Sequence, residues 1–224
     1  MEKALKSEND ITSRSRENLF HVHSAYSDGI PTIEQWFEIA SKKQIKRITF
    51  LEHVRRNPNY DIFDYFCEIE RRSEQFNIEG LHGFEAKLLP SGELDLPLDF
   101  FSNNLDILGI AEHSFPFDYK LYKQAWFTAI GYYRYSYPEL QIIWVHPGLW
   151  LRRHGLLTKL WDEYIAMITY AIESGVYIER NLRYDLVPKE IEDIIPERKL
   201  IVGLDGHDLT DLDMWDLYFP TTAT

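Results

Sequence analysis

Two histidines one residue apart, His21 and His23, open a stretch that closes on Ser27, Asp28 and Gly29. Side chains at i and i+2 of a strand share a face, so two imidazoles would project together, as they can when they share a metal ion. Asp28 sits in the turn that breaks the strand and brings a carboxylate to the same end. Alone the pair is weak, because histidines also occupy strands for purely structural reasons. The arrangement recurs, however. His53, His113 and His146 each end an apolar run, Glu85 lies within another, and Asp205 and His207 end the last. These nine residues include six of the chain's eight histidines. Imidazole and carboxylate without thiolate suit Zn, Mn or Fe, and nine ligands exceed the needs of one ion, so about two to three divalent ions are expected.

Gathering those residues requires strands that all point one way. Seven segments read as strands: 19–23, 47–53, 78–89, 106–113, 141–146, 176–181 and 200–205. Between them, helical spacing predicts Pro31 to Lys43 with Thr32 as cap, Tyr60 to Phe76, and Tyr119 to Ser136. It also predicts one long helix from Leu156 to Ser174 closed by Gly175, and a short one from Pro188 to Ile194. A turn at Pro90 to Glu93 would let Leu94 to Leu98 return as a hairpin. A last short helix falls near Leu209 to Leu217. Alternating strands and helices imply βα units, right-handed crossovers and a mainly parallel sheet, with all strand C-terminal ends on one face. Barrels of this type place their chemistry there. Cys67 reads as an inert core thiol, and His82, facing away from Glu85, as structural.

The 224 residues suit one domain, and hydrophobic and aromatic shares of 45% and 15% allow a large core. A net charge of −12 disfavours long nucleic acid and anionic membranes as partners, though not a local basic pocket. The one cysteine rules out an intrachain disulfide. Neither a signal-peptide core nor a membrane-length apolar run is evident, so the expected location is cytoplasmic. Residues 1–17 read as a flexible N-terminal arm and residues 18–224 as a single catalytic barrel.

The ordered motifs resemble the PHP (polymerase and histidinol phosphatase) family. Leu19 to Gly29 is similar to its H-x-H-[ST]-x-x-S-D-G motif, Phe50 to His53 to its T-D-H, and Gly83 to Glu85 to its G-x-E. Ile107 to His113 occupies the place of the next histidine motif. Val145 to Pro147 matches H-P, Ile178 to Asn181 matches E-x-N, and Leu204 to His207 resembles S-D-A-H. The resemblance runs from about residue 18 to 210. It implies an α/β fold, a distorted (β/α)7 barrel in a single domain, with a trinuclear metal site. By that resemblance His21, His23, Glu85 and Asp205 hold one ion. Glu85 bridges to a second, held also by His113 and His146. Asp28, His53 and His207 hold the third. The implied chemistry is hydrolysis of phosphate esters by metal-activated hydroxide. Two positions depart from the pattern: Glu52 replaces an Asp, read as a change behind the ligands, and Gly206 replaces an Ala.

The expected substrate is a small phosphomonoester: a sugar phosphate, nucleotide or amino-alcohol phosphate. A phosphodiesterase or exonuclease acting on short oligonucleotide ends is the alternative, as is a noncatalytic metal-binding subunit, though no ligand is missing. Arg55, Arg56, Lys87 and Arg183 are the candidate phosphate-binding cations, with Arg152, Arg153 and Arg180 behind them. His154 is a candidate proton donor to the leaving group, and Glu179 a candidate to orient a ligand histidine. Trp150, Tyr184 and Trp215 could line a pocket, with core packing as the competing role.

Overall fold

The computed structural model describes residues 15–97 and 105–220. Its strands are β1 (Asn18–Val22), β2 (Arg47–Val54), β3 (Glu79–Lys87), β4 (Ile107–Ala111), β5 (Gln141–Trp144), β6 (Tyr177–Asn181) and β7 (Leu200–Gly203). The helices are α1 (Ile33–Lys42), α2 (Ile62–Phe76), α3 (Tyr119–Ser136), α4 (Leu149–Arg153), α5 (Trp161–Glu173), α6 (Lys189–Glu192) and α7 (Leu212–Tyr218). The strands lie in chain order and every neighbouring pair is parallel. The sheet curls until its two edges meet. The Leu204 amide donates to the Phe20 carbonyl (2.9 Å), His23 to Gly206 (2.8 Å) and Gly206 to His21 (3.0 Å). The result is the nearly closed (β/α)7 barrel that the motif order implies.

Alternation along each strand produces two apolar layers. Outward residues such as Phe50, Phe84, Leu108, Trp144 and Ile178 pack with Trp36, Phe37, Tyr65, Trp126 and Tyr164 of the helices. Inward residues Phe20, Leu51, Leu81, Ile107, Ile143, Tyr177 and Ile201 form a separate plug inside the barrel. Further along the same inward rows the residues turn polar, at His53, Glu85, Glu179 and Asn181. The plug is therefore the floor on which the site rests.

Several elements differ from the sequence expectation for local reasons. α1 has the Thr32 cap, and Gln35 completes a capping box with it. The expected helix from Leu156 to Ser174 begins only at Trp161, and α4 precedes it. Gly155, at a φ of 64°, interrupts the two. The turn at Pro90 to Glu93 forms, with the Leu89 amide donating to the Glu93 carbonyl (2.9 Å). Its return is a single antiparallel bridge between Leu88 and Leu94, not a strand, and Leu98 lies outside the described residues. Cys67 is half-buried rather than in the core, since the buried stripe of α2 runs through Ile62, Tyr65, Phe66 and Ile69. Of the expected arm, residues 1–14 lie outside the described part. Arg16 reaches Asp216 (2.7 Å) and the Phe219 carbonyl (3.1 Å), so the arm's base is docked on α7. Among the described residues no helix is long and apolar enough to cross a membrane.

Candidate metal centre

The nine candidate ligands come from every strand end except that of β6. His21 arrives there by a route that simple alternation does not foresee. Phe20 pairs with Thr49 and Val22 with Phe50, leaving His21 as an extra, bulged residue at a φ of 63°. The bulge turns its ring onto that of His23, with the two Nε2 atoms 3.1 Å apart. His146 (φ 33°) and Asp205 (φ 56°) also have left-handed backbones. Such conformations cost non-glycine residues about 1–3 kcal/mol each and concentrate at functional sites. Gly29 supplies the tight return of the first loop: a Cβ there would lie 2.3 Å from the His23 carbonyl oxygen.

Glu85 is the hub. Its Oε1 faces His146 Nε2 (2.8 Å) and His113 Nδ1 (3.5 Å). Its Oε2 faces His21 Nε2 (3.3 Å), His23 Nε2 (3.4 Å) and His53 Nδ1 (3.4 Å). Asp28 lies 3.4 Å from both His53 and His207 and 3.8 Å from His23 Nδ1. Three groups result, each with potential ligand atoms within 4.8 Å of one another: His21, His23 and Glu85; Glu85, His113 and His146; His23, Asp28, His53 and His207. Asp205 falls outside these tight groups but stands beside them, 3.6 Å from His23 and 3.5 Å from His207.

Charge and hydrogen bonding test whether a cation fits. Burial opposes charge on His53, yet Glu85 and Asp28 outweigh it and raise its pKa to about 9. Burial likewise opposes charge on His21 and His146. Glu179 and Asp205 lift the first, and Glu85 the second. Burial takes His23 down to about 3 and His113 to about 4. Glu85, Asp28 and Asp205 resist burial and sit well below the usual carboxylate range because imidazoles surround them. Protons on His21, His53, His146 and His207, whose pKa values the neighbouring carboxylates raise, thus offset three carboxylates, while His23 and His113 stay neutral. The Nδ1 atoms of His23 and His146 are nevertheless buried without a hydrogen-bond partner, which is uncommon for buried polar atoms. Convergent imidazoles and carboxylates, some unsatisfied, fit divalent cations.

Buried polar groups hold this set from behind. Glu179 accepts from His21 Nδ1 (2.5 Å), the His146 amide (2.5 Å) and Asn181 Nδ2 (3.0 Å). Its carboxylate occupies the space beside Gly203, where a Cβ would come within 1.8 Å of Oε1. Glu52 faces outward from β2 and accepts from the Ser24 amide (2.7 Å) and the Ser27 hydroxyl, anchoring the loop that carries Asp28. Burial pushes Glu52 up to about 7, partly offset by those two serines. Two residues given no role in the sequence reading belong here. Asn181 donates to Asp205 (3.2 Å) as well as to Glu179. Glu112, fully buried, accepts from Tyr122, Trp144 and the Gly148 amide. The signal for Glu112 was a carboxylate inside an apolar run, next to a ligand histidine.

The candidate substrate-binding cations separate. Arg183 donates to the Asp205 carbonyl (3.1 Å) and pairs with Asp211. Lys87 follows Glu85 by two residues on the same strand face. Arg56 pairs with Glu93, and Arg55 lies 3.7 Å from Asp95. Arg153 donates to the His113 carbonyl (3.1 Å), Arg152 to that of Tyr184, and Arg180 is bound by Asp185 and Glu192. His154 packs on Phe117 and Trp150. Trp150 and Trp215 are core residues, whereas Tyr184 lies edge-on to His146 at 5.8 Å. His82 stacks on Phe66 at 4.1 Å, away from the site.

The sequence pattern of the PHP domain matches residues 20–183. Asp205 and His207 lie beyond that stretch and join it through closure of the barrel. A solved two-domain protein from Bacteroides vulgatus ATCC 8482, described as containing a predicted PHP-like metal-dependent phosphoesterase, is similar with a TM-score of 0.53 and 20% identity. The likeness is one of fold and covers 87% of this chain and 53% of that one, so this chain spans about half its length. No curated protein matches the chain. With most of the motif-bearing stretch matched in order, the chain belongs to the PHP domain family.

Proposed function

We propose that this protein is a metal-dependent phosphoesterase acting on a small phosphomonoester. The observation that carries the reading is the sharing of Glu85, whose two oxygens face five histidines. One carboxylate common to adjoining ligand groups would let ions bound there act on a single phosphate. In this reading His21, His23, Glu85 and Asp205 hold one ion. Glu85, His113 and His146 hold a second, and Asp28, His53 and His207 a third, with Zn, Mn or Fe suited to the donor set. When bound, such ions supply Lewis acidity and lower the pKa of water.

The chain's own groups do the rest. Lys87 and Arg183 bring positive charge to the rim, where a phosphate approaches. His154 offers a proton to the leaving group from the α4 side of the mouth. Phe20, Leu51 and Ile143 seal the floor against water. A small substrate is supported by the short rim loops: seven residues or fewer follow β2, β4, β5 and β6 before the next helix.

The test pairs elemental analysis of protein purified without chelator with hydrolysis of p-nitrophenyl phosphate and bis-p-nitrophenyl phosphate. The expected result is about two to three ions per chain and monoester turnover that chelation abolishes and metal restores. Faster turnover of the diester would transfer the reading to oligonucleotide ends. Full occupancy without turnover would favour a noncatalytic metal-binding role. Absence of metal that cannot be restored would overturn the proposal.

A further inference from the structure

Three hydrogen bonds lace the segment after β4 to the segment after β5. The Gly148 amide donates to Glu112 Oε1 (2.8 Å), Trp150 Nε1 to the Phe115 carbonyl (2.9 Å) and Arg153 Nη1 to the His113 carbonyl (3.1 Å). Glu112 supplies the only carboxylate among these ties. Its other oxygen, Oε2, accepts from Trp144 Nε1 (2.6 Å) and Tyr122 Oη (2.8 Å). The residue is fully buried, and a buried carboxylate is costly unless every lone pair is used. Its backbone leads directly into His113, and its side chain grips the turn His146-Pro147-Gly148. Tyr164 holds the same turn through the Pro147 carbonyl (2.9 Å).

We infer that Glu112 is a positioning residue that sets the separation of His113 and His146, and with it the affinity of the metal subsite they form with Glu85. The inference rests on the metal-centre reading above. The chemistry demands a carboxylate at this position. Each oxygen faces a fixed N–H donor, Gly148 on one side and Trp144 on the other. Glutamine has one acceptor and one donor, so either orientation sets an NH2 group against an N–H. The outer group of Asp28, His53 and His207 shares no contact with Glu112 and should not respond.

The experiment titrates Co²⁺ into metal-free protein, following visible absorption and equilibrium dialysis, for the wild type, Glu112→Gln and His113→Ala. Glu112→Gln is expected to weaken one ion about tenfold to a hundredfold, with an altered absorption band and the remaining ions unchanged. His113→Ala should lose that same ion. If His113→Ala loses an ion while Glu112→Gln binds like wild type, the positioning role is overturned and the centre stands. If Glu112→Gln weakens all ions equally alongside a lower melting temperature, the residue is only structural and the inference fails. If His113→Ala changes nothing, the reading of the centre fails with it. Should Glu112→Gln not fold, Tyr122→Phe removes one donor from the same carboxylate without opposing two donors. Selective weakening of that ion by a few fold then supports the inference, and unchanged binding overturns it.

Discussion

Around Glu85 the candidate centre has an inner and an outer flank, and they are held differently. On the inner flank His21 and His146 are buried, and Glu179, with 0% exposure, binds both. The ring of one and the backbone of the other meet a single carboxylate that strand β6 carries. On the outer flank Asp28 is half-exposed and hangs from the loop after β1. Its backing is indirect: Glu52 holds Ser24 and Ser27, not Asp28 itself. The difference lies in what holds each flank. The partners of the inner ligands are strand residues and core, so the fold itself holds them. The outer carboxylate is fixed by a loop and completed by whatever it binds. Inner substitutions should therefore act on stability and affinity together, and outer ones on affinity alone.

Glu85 belongs to both flanks, so its loss should produce the largest effect. Glu85→Gln is expected to remove ions from both and to cost several kcal/mol of transition-state stabilisation, on the order of a thousandfold in turnover. Elemental analysis beside phosphomonoester kinetics measures both. Retention of full metal content would show that the flanks do not share this ligand.

Glu179→Gln comes next and should separate the flanks. Glutamine cannot accept from both His21 and the His146 amide while Asn181 also donates, so at least one donor is left facing another. The cost should be about 1–3 kcal/mol of stability in the metal-free protein, read by urea unfolding. Metal affinity on the inner flank should fall about tenfold or more. An unchanged unfolding midpoint would mean that folding does not preset this flank.

The same contrast explains what the sequence made legible. Strand ends were readable because most of the apolar runs stop at a residue that chemistry singles out, and the nine residues named from the ordered motifs lie together at one end of the barrel. Inward alternation correctly separated Glu85 from His82, one in the site and the other stacked on Phe66. What failed were matters of backbone conformation and distant partners. His21 reaches His23 through a bulge, which no alternation count contains. The helix expected from Leu156 starts only at Trp161, and a short helix, α4, that was not expected precedes it, set apart by Gly155 at a positive φ, which its residue type permits but does not dictate. Glu112 and Asn181 act on segments brought close only by barrel closure and helix packing. Arg56 read as a candidate phosphate-binding cation, and its pairing with Glu93, which the turn after β3 places against it, was not foreseen.

On the outer flank, Asp28→Asn should be a clean loss of binding. The side chain is half-exposed and its partners are imidazoles, so the fold is expected to change by no more than about 0.5 kcal/mol. One ion should be lost while the inner flank stays occupied. Dialysis against limiting metal reads this directly. A drop in stability comparable to that of Glu179→Gln would erase the distinction between the flanks.

Ser27→Ala should give the smallest effect and is the finest probe of the outer flank. The Ser27 hydroxyl donates to Glu52, and Glu52 also receives the Ser24 amide, so the loop is held at two points to one buried carboxylate. Removing one of them deletes a hydrogen bond worth about 1 kcal/mol net, which caps any loss of affinity at about fivefold. The Ser24 tie remains, and alanine introduces no opposing donor, so Glu52 stays satisfied. Two results are therefore expected together: outer-ion affinity reduced a few fold, and inner-ion affinity unchanged in the same titration. If both fall together, the loop also helps hold the inner flank through His23, whose ring lies between the two ligand groups. If neither moves, the Ser24 amide alone positions the loop, and Glu52 works through the backbone rather than through the Ser-Asp-Gly turn.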